Sequence, residues 1–189
     1  RLPRQGHFPK GGCATGGCAR GGIPGMSVNI ARASLVQKYW IREELQSYLA
    51  ELSRFADIDK NAKGQYDYPY LDHYWRQPDR HPFIIYLDNE PVGFLLVRED
   101  QDPANGSSLT EIAELYILPA FRQCSIVSSA VRDVLGYFPG NWRATVFRDN
   151  HVAYGFWGQL ISALDPEFTL ALPSHDKQQH VVFSFSAQP

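Results

Sequence analysis

Cysteine, methionine and net charge are scarce in this chain, which has three cysteines, one methionine and a formal charge of −2 over 189 residues. The odd cysteine count, with Cys13 and Cys18 in a glycine-rich tail, supports no disulfide framework and fits a reducing, cytoplasmic setting. Cys13, Cys18 and His7 are poorly spaced for zinc, since a four-residue gap with no second Cys or His pair does not build a tetrahedral site, so no metal is expected. The 18 Lys and Arg are scattered among 20 Asp and Glu. With no basic stripe to meet a phosphate backbone, nucleic acid is not expected as a partner, and the rings from Tyr66 to Trp75 lack the flanking positive charge of a stacking groove. Long apolar runs are missing too. Phe83–Leu87 falls far short of the roughly 20 residues that cross a bilayer, so no membrane partner is expected.

What remains is an ordinary globular composition, 44% hydrophobic and 20% charged, enough for one core. Residues 1–25 repeat Gly-Gly pairs without apolar periodicity. They read as a flexible leader added ahead of a natural start at Met26, leaving 26–189 as a single domain.

Along that domain, Val28–Arg32 alternates like an edge strand, and Ser34 with Gln37 forms a capping-box signal. A helix should follow, with Ile41, Leu45, Tyr48, Leu49, Leu52, Phe55 and Ala56 on one apolar stripe. Residues 57–82 are ring-rich and proline-broken, and read as a loop with a short helix that serves as lid or pocket wall. Phe83–Leu87 and Val92–Val97 form a hairpin with Asn89 at positive φ. Beyond the polar loop Asp100–Ser108 come a strand Leu109–Leu118, a short loop, a helix Ser125–Phe138 and a strand Trp142–Phe147, which together make a βαβ unit. Asp149 or Asn150 caps a last helix before a final strand Val181–Phe185. The loop bearing Arg122 opens the βαβ helix, whose exposed amides suit an anion.

The run from Glu111 through Glu114 and Pro119 to Arg122 resembles the central motif of GNAT N-acetyltransferases. Phe138-Pro139-Gly140-Asn141-Trp142 and the helix carrying Asn150, Ala153, Phe156 and Trp157 resemble a bacterial branch of that family. The likeness is close over 81–164. It implies a mixed α+β fold, with a mostly antiparallel central sheet, one splayed parallel strand pair and flanking helices. It also implies acetyl-CoA as acyl donor. Pantetheine would bond the backbone near Leu115 and Ile117, and the pyrophosphate would lie on the amides of Gln123, Cys124, Ser125, Ile126, Val127 and Ser128, with Arg122 opening the loop and Asn150 near the adenosine-pantetheine arm.

Acyl transfer needs a free amine, so a base must take the ammonium proton. Glu114 is the candidate catalytic residue, placed by strict alternation on one strand face with Ile112 and Tyr116 and opposite Glu111. Tyr70 and Tyr74, with Asp67 and Asp72 nearby, suggest a cationic acceptor held by ring faces and charge. Where the family often has an acidic tyrosine, this chain has Trp157, with Tyr154 one turn earlier. The family's loop glycines are replaced by Ser125 and Val127, which crowd a phosphate approach. The expected activity is acetyl transfer to a primary amine of a small molecule or peptide, and a homodimer is compatible with it. The alternative is an inactive scaffold of the same fold that binds a ligand or partner.

Overall fold

The computed structural model of the chain describes residues 27–172 and 180–188. The expected leader, with Cys13, Cys18 and His7, lies outside them. Seven strands form one sheet: β1 (Val28–Arg32), β2 (Arg80–Leu87), β3 (Glu90–Gln101), β4 (Ser108–Ile117), β5 (Gly140–Phe147), β6 (Thr169–Ala171) and β7 (His180–Ala187), in the order β1-β2-β3-β4-β5-β7-β6. Only β4 and β5 run parallel; every other neighbouring pair is antiparallel. Three α-helices are described, α1 (Gln37–Leu52), α2 (Cys124–Tyr137) and α3 (His151–Leu164), with 3-10 turns at Leu71–Trp75 and Pro119–Phe121. None is long and apolar enough to cross a membrane.

Local chemistry accounts for the element ends. Ser34 N–H donates to Gln37 Oε1 at 2.8 Å, and Gln37 N–H donates to Ser34 Oγ at 3.3 Å, so the reciprocal capping box precedes α1. Asp88 and Asn89 both take positive φ, 49° and 71°, the left-handed pair that a two-residue hairpin turn needs. Asn150 Oδ1 accepts from Ala153 N–H at 3.2 Å and caps α3. Trp142, fully buried, donates its indole N–H back to Phe138 O at 2.7 Å. Gly140 at φ +127° makes the turn between them. Edge strand β6, short and exposed, was not anticipated from sequence; three residues carry too little alternation to register.

The two sheet faces carry separate cores. On one, Ile85, Leu95, Val97, Ile112, Trp142, Val146 and Phe183 pack against α2 and α3 through Ile126, Val131, Leu160 and Ile161. On the other, Ile84, Phe94, Leu96 and Tyr116 pack against Ile41 and Leu45 of α1 and Leu71 and Tyr74 of the 3-10 turn.

Two irregularities in β4 position the site. Against β3, Leu96 opposes Glu114 while Val97 opposes Ile112, so Ala113 is an extra residue and β4 carries a bulge there. Against β5, the register runs through Thr110↔Trp142 and Glu111↔Arg143 and ends at Ile112↔Ala144. The strands part where the bulge bends β4. As a result Ala113, Glu114 and Leu115 are only partly buried on the central strand of the sheet, between fully buried neighbours, and Thr145 of β5 is exposed.

Candidate active site

The bulge corrects the strict alternation expected of β4. Glu111 opposes Arg98, and Glu114 opposes Leu96. Arg98 and Leu96 lie two apart on a regular strand and share a face, so both glutamates point to the α1 side. Ile112 lies in the opposite core. An inserted residue reverses the phase of everything beyond it, and alanine at the bulge leaves no mark in the hydrophobic pattern.

The two carboxylates have different surroundings. Glu111, 5% exposed, is charge-paired: the Arg98 guanidinium contacts it, Arg143 Nη2 donates to Oε2 at 3.1 Å, and Thr145 donates to Oε1 at 3.4 Å. Glu114 accepts from two phenols and makes no ion pair among the described residues; Arg98 acts on it only at longer range. Tyr48 of α1 donates to Oε2 at 2.5 Å, and Tyr68 donates to Oε1 at 3.0 Å. Burial pushes the Glu114 carboxyl up to about 7, against the pull of the tyrosine hydrogen bonds toward lower values; nearby Glu111 adds to the rise. Burial and the neighbouring Glu114 hold the Tyr48 and Tyr68 phenols protonated, so they act as fixed donors. A carboxyl that titrates near neutrality can both accept and release a proton at working pH, and Glu114 therefore suits a general base better than Glu111.

Tyr48 and Tyr68 were not singled out for chemistry in the sequence. Tyr48 occupied the α1 stripe, and contacts 66 and 46 residues away leave no local signal. Of the two tyrosines expected to hold substrate, Tyr70 is 55% exposed, with its ring edge-on to Tyr68 at 6.1 Å and to His73 at 6.0 Å. Tyr74 is 3% exposed, its ring under the Arg80 guanidinium at 5.4 Å and its hydroxyl buried near Tyr68 and Arg80. Tyr74 thus lies in the layer behind Tyr68.

The anion-binding candidates gather where β4 leads into α2. Gln123 and Ser125 are exposed, Ile126 and Ser128 are buried, and Val127 packs against the α2–α3 core. Gln123 makes no side-chain cap, while the Ile126 and Val127 amides turn back to Gln123 O at 3.1 and 3.3 Å. The helix pattern leaves the amides of Cys124 and Ser125 ahead of those bonds. Arg122 is tied inward, donating from Nε to Ile117 O at 2.9 Å and from Nη2 to Glu51 Oε1 at 2.7 Å. The Ile117 carbonyl therefore already has one donor, whereas Leu115 lies in the splayed stretch. Asn150 begins α3 at the same end of the parallel pair and spends its carbonyl oxygen on the cap. Trp157 is 6% exposed in the core, and Tyr154 rests on Phe183 of β7 at 5.7 Å, across β5 from β4.

Among the described residues, a seven-stranded sheet that opens at its one parallel pair, with helices packed on both faces, has the GNAT type of α+β architecture. The Acetyltransferase (GNAT) family model matches residues 41–160, and the chain belongs to that family. An acetyltransferase of the GNAT family from Streptococcus agalactiae superposes with a TM-score of 0.66 at 10% identity, covering 86% of this chain and 96% of that one. Arabidopsis thaliana Naa50, in complex with the bisubstrate analogue CoA-Ac-MVNAL, superposes at 0.56 with 15% identity over 85% and 99%. Aminoglycoside acetyltransferase AAC(6')-Ib, in complex with coenzyme A, superposes at 0.59 with 12% identity over 85% and 95%. Among curated proteins no sequence matches.

Proposed function

We propose that the chain transfers an acetyl group from acetyl-CoA to a primary amine of a small molecule or peptide, with Glu114 as general base. The carrying observation is the Glu114 carboxyl, held between Tyr48 and Tyr68 at the break between β4 and β5, where burial raises it toward neutrality. The open strand edge at Ala113–Leu115 fits an extended, amide-bearing chain that adds as a strand. The first amides of α2 fit a pyrophosphate, with exposed Ser125 at the mouth of the loop and Val127 turned toward the core. Solved neighbours of the same fold hold coenzyme A or a coenzyme A conjugate.

In this reading Glu114 takes a proton from the acceptor ammonium, and the freed nitrogen lone pair attacks the thioester carbonyl. The C–N bond forms, the C–S bond breaks, the sulfur leaves as thiolate, and the second proton shed by the acylated nitrogen passes to that thiolate or to solvent. A thiol pKa of about 8–9 makes that departure feasible without an acid, which suits a chain with Trp157 at the family's tyrosine position. Tyr48 and Tyr68 fix the carboxylate's orientation throughout. Release of free thiol in the presence of acetyl-CoA and a panel of primary amines tests the reading.

The second reading, a non-catalytic scaffold, draws on Arg122 being tied to Glu51 and on the missing loop glycines. Failure of acetyl-CoA to bind at millimolar concentration selects it.

A further inference from the structure

Away from Glu114, a cleft of about 400 Å³ opens between the start of α1 and the 3-10 turn at Leu71–Trp75. Lys38 and Tyr48 are ten residues apart on α1, so the cleft lies about 15 Å along the helix from the tyrosine that touches Glu114. Three cations converge there on one carboxylate: Asp72 receives Lys38 at 2.5 Å, Arg42 at 3.6 Å and Arg76 at 3.7 Å. The cluster carries a net charge of +2 in a chain of net charge −2. Asp72 shows that the cluster accepts a carboxylate, yet one carboxylate cannot saturate it. The side chains of Arg42 and Arg76 remain 48% and 73% exposed, at distances too long for direct hydrogen bonds.

Beside these cations lies apolar surface. Of nine exposed large hydrophobics among the described residues, three, Leu35, Val36 and Tyr39, lie together where α1 begins, the first two just ahead of Gln37, at 63%, 79% and 66% exposure. Leu35 and Tyr39 line the cleft, with Trp75 behind Lys38. Exposed apolar surface grouped in this way marks an interaction site more often than isolated side chains do.

We infer that this cleft docks an acidic peptide segment of a partner protein, its carboxylates on Arg42 and Arg76 and an apolar side chain over Leu35 and Tyr39. Charge complementarity selects that occupant. A purely apolar partner would strand two guanidinium groups, and a small anion would leave the apolar rim uncovered.

The test is fluorescence anisotropy of the full chain with a short labelled peptide of Glu and Asp interspersed with Leu and Phe. Expected results are saturable binding that weakens about tenfold or more in Arg42→Glu/Arg76→Glu and falls with added salt, as exposed charge pairing requires. Tyr39→Ser should weaken it separately, and Glu114→Gln should leave it unchanged, so this result is independent of the acetyl-transfer proposal. The inference is overturned if the double variant binds as wild type, if a version with Gln and Asn in place of the acids binds equally, or if the peptide does not bind. Binding to anionic vesicles without peptide binding would assign the surface to a membrane instead.

Discussion

Replacing Glu114 with glutamine should stabilise the protein far more at pH 8 than at pH 5. The Glu114 carboxyl rises from its ordinary 4.5 to about 7 in the folded chain. A carboxyl raised in the folded state contributes stability that is fully present below about 4.5 and is lost as pH climbs through about 7, because the native state holds the proton more tightly than the unfolded chain. The shift of about 2.5 units corresponds to about 3 kcal/mol at 1.36 kcal/mol per unit. Glutamine does not titrate, and its amide can still accept from one tyrosine and donate to the other. Constant packing differences cancel when the two proteins are compared at two pH values. Because the unfolded carboxyl is already partly ionised at pH 5, urea unfolding of both at pH 5 and pH 8 should show the variant's advantage growing by about 2.5 kcal/mol, equivalent to roughly 5–10 °C in Tm for a domain of this size. Parallel curves would refute the argument, since they would mean that Glu114 titrates alike in folded and unfolded chains. An advantage that shrinks with pH would show a carboxylate stabilised as the anion.

Other outcomes follow from the same geometry. Tyr48→Phe removes one of the two donors to Glu114. With a charge-assisted bond contributing about 1.5–3 kcal/mol, the rising limb of the kcat/KM pH profile should move about one unit or more toward alkaline pH, and an unmoved limb would remove Tyr48 from the site. Gly93→Ala should destabilise by several kcal/mol, about 2–4, in thermal unfolding. Its Cβ would meet Tyr116 O at 2.4 Å and Ile117 Cα at 3.1 Å, both backbone atoms. Val127→Gly should cost about 1–3 kcal/mol by removing core contact and adding helix entropy, whereas Ser125→Gly should tighten coenzyme A binding severalfold in calorimetry.

Much of the framework could be read from residues alone. Ser34 and Gln37, the Asp88-Asn89 turn and a cap at Asp149 or Asn150, where the structure uses Asn150, act within a few positions, so short-range chemistry sufficed for them. The site was less legible. Glu114 stood out as a carboxylate in a familiar run, but its face relative to Glu111 depends on a bulge at Ala113 that no side chain announces. Its partners come from α1 and from the ring-rich loop, dozens of residues away, and only tertiary packing joins them. Arg122 could be placed at its loop, but its engagement with Glu51 could not, because that contact spans 71 residues.

The central claim, that Glu114 is the base for acetyl transfer, is tested most directly by comparing wild type and Glu114→Gln with acetyl-CoA and an amine that the wild type acetylates. Thiol release should fall by about 10²-fold or more in the variant, while the acetyl-CoA Kd from calorimetry stays near that of the wild type. Turnover that survives the substitution would contradict the account, as would a loss of acetyl-CoA affinity equal to the loss of rate.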